Sequence, residues 1–277
     1  VSGGGPAINN SGTIVLDGCT ISNCHVNNSN GGGAIESGGK LYAINTTFSG
    51  NYSGEIGGAI NNYGGSLYMS GCTFTNNYTT ESDAYWGGAI GINGGDEVRL
   101  INCSLSGNQY GSGTTTGPSD IGVFWKPTEY TIAGCTGATI ASNNGDITAN
   151  ASGTATLDYS DLSNIAFTYS APVTVTWNNN DITGSGKSFS KGGVTLTAGS
   201  IDFDEKNFEE NGTFTTTLGN FTKIEVVATN GFCDVSGTGW SGNEVKRTWT
   251  GNASSVSFVG DIYGDGNGIK FVFTIEP

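Results

Sequence analysis

Hydrophobic positions in the first half of the chain recur in short alternating runs that are separated by Gly, Asn and Ser. Most runs follow the phrase Gly-Gly-Ala-Ile, which has an inserted Pro6 in its first copy and whose isoleucine recurs at Ile8, Ile35, Ile60 and Ile90 with spacings of 27, 25 and 30 residues. Alternation with period two is typical of short β-strands, and a self-similar unit of about 20–50 residues is typical of a solenoid. The pattern therefore predicts stacked coils of short strands.

The second half of each coil aligns equally well. One column lies two residues before an apolar position, which places both side chains on the inward face, and it contains Cys19, Thr46, Cys72, Cys103 and Cys135. A second column contains Cys24, Asn51, Asn77 and Asn108, and we expect its Asn amides to form a ladder at left-handed turns. A degenerate fifth coil follows near Ile121. We therefore predict about five coils of a right-handed parallel β-helix over residues 1–148.

The pattern changes after about residue 150, where the Gly-Gly-Ala-Ile phrase disappears. Short alternating segments such as Val173–Trp177, Lys223–Ala228 and Ile269–Ile275 follow, separated by turn residues. About eight such segments are typical of an antiparallel β-sandwich, of which the jelly roll is one arrangement. The sequence thus predicts an all-β chain with a β-sandwich module over residues 149–277.

Charge and composition narrow the class of protein. The chain has 10 Lys and Arg against 24 Asp and Glu, a formal net charge of −14, which argues against a nucleic-acid partner. Its 47 glycines and 12% charged residues are unusual for a cytosolic enzyme and favour an extracellular or cell-surface location. No apolar run is long enough for a membrane span, so we expect no membrane insertion. Because a coil begins at Val1 without a cap, we expect the chain to be part of a longer protein.

The cysteine column allows two interpretations. Four of the six cysteines share one inward column, where small side chains pack well, and this favours a reduced internal stack. Neighbouring coils are about 4.8 Å apart, so a disulfide between Cys72 and Cys103, or between Cys103 and Cys135, also satisfies the geometric limits.

The repeat resembles a known family. Gly-Gly-Ala-Ile followed by Phe48-Ser49-Gly50-Asn51 or Phe74-Thr75-Asn76-Asn77 is similar to the GGAI/FxxN repeat of adhesins of the polymorphic outer-membrane-protein type. That resemblance covers residues 1 to about 145, and it departs at Cys24 and in the fifth coil. The C-terminal part, with Ser257–Tyr263 and Phe271–Glu276, resembles β-sandwich modules of gut bacterial surface proteins. The resemblance implies a secreted, bacterial, adhesin-like fragment that acts as a rigid stalk or binding module.

Catalytic chemistry is the first alternative. A polysaccharide lyase or glycoside hydrolase requires carboxylates that converge on a groove. The candidate carboxylates are Asp17, Glu36, Glu55, Asp83, Asp96, Glu97 and Asp120. No two of them share a column in adjacent coils, and the sole histidine, His25, occupies a turn position. We therefore assign no catalytic residue and favour a non-enzymatic function. A phage tail-fibre or spike component is the second alternative.

Tyrosine rows are the candidate binding residues. Val15, Tyr42 and Tyr68 form one predicted outward row, and His25, Tyr52 and Tyr78 form another. Exposed aromatic faces can stack on sugar rings, so the predicted partner is a host or bacterial surface glycan or protein. The alternative is that these tyrosines only shield the backbone. In the C-terminal part, Trp240 lies in a Gly-rich loop and is the best candidate for exposure.

No metal site is predicted from spacing, and no cofactor is required. Oxygen ligands of the kind that calcium prefers occur at Asp202–Glu205 and at Asp261–Gly268, so calcium stays open. Neither segment has the 12-residue EF-hand spacing, and ordinary turns are the favoured interpretation.

Overall fold

The computed structural model is all-β and divides into two compact units, Val1–Tyr169 and Ser170–Pro277. It describes residues 2–3, 5–27, 31–112, 115–145, 147–150, 152–264 and 268–277. Gly4 of the first Gly-Gly phrase lies outside these residues. The first unit extends beyond the predicted domain boundary after residue 148, and that boundary stays a prediction.

Four coils of the first unit contain four strands each, after an initial strand β1 (Ser2–Gly3). The first two coils contain β2 (Ile8–Asn10), β3 (Thr13–Asp17), β4 (Thr20–Ser22), β5 (His25–Val26), β6 (Ile35–Ser37), β7 (Lys40–Ile44), β8 (Thr47–Ser49) and β9 (Tyr52–Ser53). The next two contain β10 (Ile60–Tyr63), β11 (Ser66–Ser70), β12 (Thr73–Thr75), β13 (Tyr78–Thr79), β14 (Ile90–Asn93), β15 (Glu97–Ile101), β16 (Ser104–Ser106) and β17 (Gln109–Ser112). A 3-10 turn, Ala84–Trp86, is inserted before the fourth coil.

The end of the first unit is less regular. Strand β18 (Thr115–Pro118) pairs antiparallel with β17, and a partial fifth coil contributes β19 (Ile121–Trp125) and β20 (Glu129–Ala133). Strand β21 (Ile140–Ser142) then pairs with β19, and β22 (Thr154–Asp158) and β23 (Ala166–Ser170) form a two-stranded sheet. The fifth coil is thus as degenerate as the sequence predicts.

Equivalent strands of successive coils pair in register into four sheets. Sheet A is β1-β5-β9-β13-β17-β18, sheet B is β2-β6-β10-β14-β19-β21, sheet C is β20-β15-β11-β7-β3, and sheet D is β16-β12-β8-β4. Pairing between coils is parallel, with Ile35, Ile60, Ile90 and Ile121 on consecutive rungs of sheet B. The predicted parallel β-solenoid is confirmed, with about four complete turns, while its handedness stays a prediction.

The solenoid core consists of stacked apolar columns. Phe48 and Phe74 lie on neighbouring rungs of sheet D, are fully buried, and stack with ring centroids 4.9 Å apart. The Ala-Ile pairs of the repeat are also fully buried from Ala34 onward. Each coil therefore covers the apolar face of the next, as the alternation predicts.

A buried asparagine ladder connects the coils at one corner. The Asn51 side-chain amide donates to Asn77 Oδ1 (3.0 Å), Asn77 to Asn108 Oδ1 (2.9 Å), and Asn108 to Asp120 Oδ1 (2.7 Å). Each ladder Asn also accepts a backbone N–H from the preceding coil and donates to a carbonyl there. At the far end, Asp120 Oδ2 accepts from the backbone and hydroxyl of Thr139. The predicted ladder is confirmed.

The ladder residues were predicted to adopt the left-handed turn conformation themselves, and this is wrong. In each coil the left-handed residue is the one just before the ladder position. The preceding position alternates between Asn and Gly, namely Asn23, Gly50, Asn76 and Gly107, all with φ between 54° and 67°. A Cβ on Gly50 would lie 2.7 Å from Asn23 Oδ1, so each Asn side chain fills the space above the next glycine. Glycine and asparagine therefore alternate because two stacked Asn side chains would collide.

All six cysteines are free. Cys72 and Cys103 are buried in the inward column, and Cys72 Sγ donates to the Ala43 carbonyl (3.4 Å), while Cys135 Sγ donates to that of Leu100 (3.4 Å). Contact with both neighbouring thiols raises the pKa of the Cys103 thiol, so it stays protonated within the row.

The second unit contains two antiparallel sheets. The first, β24-β34-β28-β31-β30, is made of β24 (Val173–Asn178), β28 (Asn220–Ala228), β30 (Trp240–Gly242), β31 (Lys246–Ala253) and β34 (Ile269–Glu276). The second, β25-β26-β27-β33-β29 with β32 against β27, is made of β25 (Ser188–Lys191), β26 (Val194–Asp202), β27 (Asn207–Thr216), β29 (Phe232–Cys233), β32 (Ser255–Phe258) and β33 (Ile262–Tyr263). Asn179–Asp181 is a 3-10 turn. Trp177, Phe214 and Phe273 are fully buried in the core of this β-sandwich.

Candidate functional site

The first predicted tyrosine row stacks but is covered. Val15, Tyr42, Tyr68 and Arg99 occupy consecutive rungs of sheet C, and the rings of Tyr42 and Tyr68 are parallel at 4.7 Å. Tyr42 is only 5% exposed, because Leu162–Ile165 of the β22–β23 connection lies over it. Prediction of this row as an open surface is therefore wrong for Tyr42.

Tyr68 is held by polar and aromatic contacts. Its hydroxyl donates to Glu97 Oε2 (2.7 Å), and the other oxygen of that carboxylate, Oε1, forms an ion pair with Arg99. The centroid of the Tyr68 ring lies 5.5 Å from that of Phe167. Burial and the Glu97 carboxylate raise the pKa of Tyr68 to about 12. These contacts give Tyr68 a structural role in the first unit.

The second predicted row is half-exposed on sheet A. His25, Tyr52, Tyr78 and Gln109 occupy consecutive rungs, and the centroids of successive aromatic rings from His25 to Tyr78 are 5.6 Å apart. The Tyr78 hydroxyl donates to the Gly111 carbonyl. Tyr52 and Tyr78 thus form a half-buried stacked pair, one member of which is tied to the backbone.

Trp240 of the second unit is half-buried. Its indole N–H donates to the Ser257 carbonyl (3.2 Å), and its ring lies 6.2 Å from that of Phe258. Nearby, Trp249 is 7% exposed and borders a groove of about 510 Å³ between the Gly237–Gly239 and Ser255–Val259 segments. The indole of Trp240 therefore helps to close the sandwich core and is not a free platform.

The strongest candidate surface lies on sheet B. Tyr63, Asn93 and Trp125 occupy consecutive rungs at the ends of β10, β14 and β19, and we call these three residues the sheet-B platform. Tyr63 is 60% and Trp125 is 54% exposed. Because rungs are about 4.8 Å apart, the two aromatic residues are about 10 Å apart along the coil axis.

A β-bulge and an inserted turn shape this surface. The register shifts between Ile92 and Asn93, so Phe124 is the extra residue and Trp125 returns to the platform row. Phe124 stacks on Trp86 of the Ala84–Trp86 turn, with centroids 4.5 Å apart and planes 14° apart. Two hydrogen bonds fix this turn. The Ser119 hydroxyl donates to the Ala84 carbonyl (2.5 Å), and the Gly57 backbone N–H donates to the Trp86 carbonyl (2.8 Å). The platform is thus continuous with a supported aromatic cluster.

An acidic pocket of about 250 Å³ adjoins the platform. Its walls include Glu36, Glu55, Ile56, Asn61, Tyr63 and Asn93, and these residues with Gly31 define the acidic pocket hereafter. Glu36 and Asn61 occupy neighbouring rungs of sheet B, whereas Glu55 reaches the pocket from the connection before β10. Burial raises the pKa of the Glu55 carboxyl, and repulsion from Glu81 and Glu36 raises it further, against the lowering effect of the Gly31 N–H.

Two amide oxygens in this pocket have no hydrogen-bond partner among the described residues. They are Asn61 Oδ1 and Asn93 Oδ1, and both atoms are shielded by neighbouring protein atoms. Asn61 as a whole is only 3% exposed. Buried acceptors without donors are rare because they carry a desolvation cost, but with less than 1 Å² accessible on each, neither oxygen faces the open part of the pocket.

Sequence reasoning missed the platform and the convergence of Glu36 with Glu55. Both carboxylates were candidates that share no column, and they line one pocket because Glu36 lies on β6 whereas Glu55 enters from a connecting loop. Two signals were available: the longest spacing, 30 residues, carries the inserted Tyr85-Trp86, and Phe124-Trp125 interrupts the fifth coil.

Of the two loops considered for calcium, the first forms a local turn and the second, where it is described, is tied to β27. Asp202 Oδ1 accepts the backbone N–H groups of Asp204 (2.9 Å) and Glu205 (3.0 Å), and Asp261 Oδ1 accepts that of Glu210 (2.9 Å). Residues 265–267 of the second loop lie outside the described residues. Within the described part of the chain, no group of three or more His, Cys, Asp or Glu side chains is arranged to bind a metal ion.

Comparison of the chain with known proteins identifies no family. Among the residues described, no helix has the length and apolarity that a membrane crossing requires. No protein-family profile, no curated protein and no solved structure matches the chain.

Proposed function

We propose that the chain is an extracellular, non-enzymatic, adhesin-like module that binds glycans on the outer face of sheet B. The observation that carries this proposal is the sheet-B platform, in which two exposed aromatic residues flank an amide on consecutive rungs. Aromatic faces offer apolar area to the C–H face of a pyranose, and amides and carboxylates accept from its hydroxyls. The arrangement therefore supports recognition of an oligosaccharide that extends along the coil axis.

The scaffold supports such a role because the platform belongs to a rigid stack. Tyr63 and Asn93 end strands that are paired on both sides, and their rungs are fixed by fully buried neighbours such as Ile60 and Ile90. A preorganised surface loses little conformational entropy on binding. The partner we propose is a host or bacterial surface glycan, in keeping with the resemblance of the repeat to bacterial adhesins.

Replacing Trp125 with alanine is expected to weaken glycan binding about 10- to 100-fold, because it removes one of two stacking faces. A glycan array on the purified chain identifies the ligand, and titration calorimetry then compares the two proteins. Tyr63→Ala should give a loss of similar size.

Phe232→Ala provides the control, since Phe232 is an aromatic residue 45% exposed in the second unit. Tyr52→Ala tests the competing row on sheet A. An affinity that survives Trp125→Ala and Tyr63→Ala but falls with Tyr52→Ala would move the binding site to sheet A and contradict the proposed location.

Glycoside hydrolysis is the second candidate function, and one observation favours it. Glu55 and Glu36 line one pocket, and the raised pKa of Glu55 is the property of a general acid at such sites. If this candidate is correct, oligosaccharides are cleaved by the purified chain and Glu55→Gln abolishes the cleavage. Reducing-end assays on the glycans found by the array test it, and intact ligands after prolonged incubation would exclude it for those glycans.

A further inference from the structure

Cys72, Cys103 and Cys135 occupy the same inward position on three consecutive rungs of the solenoid, and we call them the cysteine row. All three are free. Strands β11 and β12 pair in register with β15 and β16, and β15 pairs in register with β20, which aligns the three positions. The Ser104–Thr136 bridge and the hydrogen bond from the Thr136 N–H to the Cys103 carbonyl (2.9 Å) keep this register beyond β20.

The spacing of the row is compatible with a disulfide between neighbours. Rungs of a parallel sheet place adjacent Cα atoms about 4.8 Å apart, and cystines have Cα separations of about 4.4–6.8 Å. The Cys103 thiol contacts both neighbouring thiols. Outside the row these thiols make only long S–H···O contacts, such as that of Cys135 Sγ with the Leu100 carbonyl (3.4 Å). A thiol is a weak donor, so little is lost when two of them join.

Exposure distinguishes the two possible pairs. Cys72 is fully buried and Cys103 is 1% exposed, whereas Cys135 is half-buried at the end of the row. An external oxidant therefore reaches Cys135 and neither of the other two. Contact with the Cys103 thiol also lowers the pKa of the Cys135 thiol, which raises the share of the reactive thiolate at neutral pH.

The remaining cysteines have no cysteine on the neighbouring rung of their own unit. The residue that follows Cys19 in its column is Thr46, whose hydroxyl accepts the Cys19 backbone N–H. Cys24 is followed by a ladder asparagine in the same way. Cys233 is the single cysteine of the second unit. Oxidation within one unit is therefore confined to the cysteine row.

The exposed pair lies where the pairing of the solenoid weakens. Sheet D ends at β16, and among the described residues the fifth coil continues it through one bridge, Ser104–Thr136. A bond between Cys103 and Cys135 would close a loop that contains β16 to β20 and tie the fifth coil to the fourth. In the chain-entropy account, such a cross-link stabilises the fold by restricting the unfolded chain.

We propose that Cys103 and Cys135 are a disulfide-forming pair that an external small-molecule disulfide oxidises, while Cys72 keeps its thiol. The Cys135 thiolate attacks one sulfur of the oxidant and expels the other half as a thiolate, which gives a mixed disulfide. The Cys103 thiol then loses its proton and attacks the Cys135 sulfur, expelling the second half. The two protons of the protein thiols end on the two released thiols, so one disulfide is exchanged for another.

The test exposes the whole folded chain to glutathione disulfide without denaturant. Alkylation of the remaining thiols, digestion and tandem mass spectrometry then identify the linked residues. We expect one disulfide per chain, between Cys103 and Cys135, with Cys72 recovered as the alkylated thiol. We also expect the midpoint of thermal unfolding of the first unit to rise by about 5–10 °C, because the new loop is long. Dithiothreitol should reverse both changes.

Two serine variants separate the members of the row. Cys135→Ser should remove the disulfide and the temperature shift, whereas Cys72→Ser, the matched control, should keep both. A Cys72–Cys103 disulfide in the unmodified chain overturns the proposal, and so does glutathione that stays attached to Cys135. The same holds if no protein disulfide forms. The peptide map of the unmodified chain decides the pairing even where a variant fails to fold.

Discussion

Replacing Asn77 with alanine is expected to lower the free energy of unfolding of the first unit by about 3–5 kcal/mol, since each buried polar group left unpaired costs about 1–3 kcal/mol. The Asn77 side chain accepts from the backbone N–H and side-chain amide of Asn51, and it donates to the Phe48 carbonyl and to Asn108 Oδ1. Alanine would remove these four hydrogen bonds, and of the four groups the Asn51 amide keeps the Ile21 carbonyl and Asn108 Oδ1 keeps the backbone N–H of residue 77. Urea unfolding measures the loss, with hydrogen exchange assigning the transition to residues 1–169.

Asn9→Ala is the control for this variant, because Asn9 is an exposed Asn on a strand of the same solenoid. Surface substitutions of this kind change stability by about 0.5 kcal/mol or less. A change at Asn77 no larger than the change at Asn9 would mean that the ladder contributes little to stability.

Replacing Gly58 with alanine is expected to cost more than about 3 kcal/mol, beyond the usual range for overpacked cores. A Cβ at this position would lie within 3.0 Å of three backbone atoms: the Gly88 carbonyl oxygen and the nitrogen and carbonyl oxygen of Tyr78. Backbone atoms in the middle of paired coils cannot rotate away as a side chain can. Gly33 and Gly88 meet the same kind of obstruction, so neighbouring coils fix the second glycine of these three pairs, whereas a Cβ at Gly5 of the first pair would have no heavy atom within 4 Å.

Gly12→Ala is the matched control, because a Cβ at Gly12 would have no heavy atom within 4 Å. Thermal unfolding of both variants measures the difference. A Gly58→Ala protein that unfolds at the same temperature as Gly12→Ala would show that neighbouring coils can move apart at little cost. That result would contradict the close backbone packing around Gly58.

The repeat made the solenoid predictable because register follows from equal spacing. Ile35, Ile60 and Ile90 were aligned by sequence alone, and they are paired rung by rung in sheet B. The alignment also predicted the stack of Tyr42 on Tyr68 and the amide ladder. It could not predict that Tyr42 is buried, because the covering segment Leu162–Ile165 follows no repeat and carries no periodic signal.

The candidate site was less predictable because it is built from departures from the repeat. Glu55 lies in a connection between strands, Trp86 in an insertion, and Trp125 after a bulge, so none of them shares a column position in the alignment. Tyr63 lies at the end of its strand, one residue beyond the segment that aligns in every coil. Local irregularities of this kind direct side chains outward at one place only, whereas a repeated column distributes them along the whole stack.

Photo-crosslinking tests the central claim most directly, because it reports where a bound glycan lies. An oligosaccharide selected on the array and carrying a photoreactive group is bound to the chain, irradiated, and located by tandem mass spectrometry. The proposed function predicts crosslinks at or next to Tyr63, Asn93 and Trp125 that excess unlabelled ligand abolishes. Competable crosslinks confined to Tyr52 and Tyr78, or to residues 170–277, would contradict it.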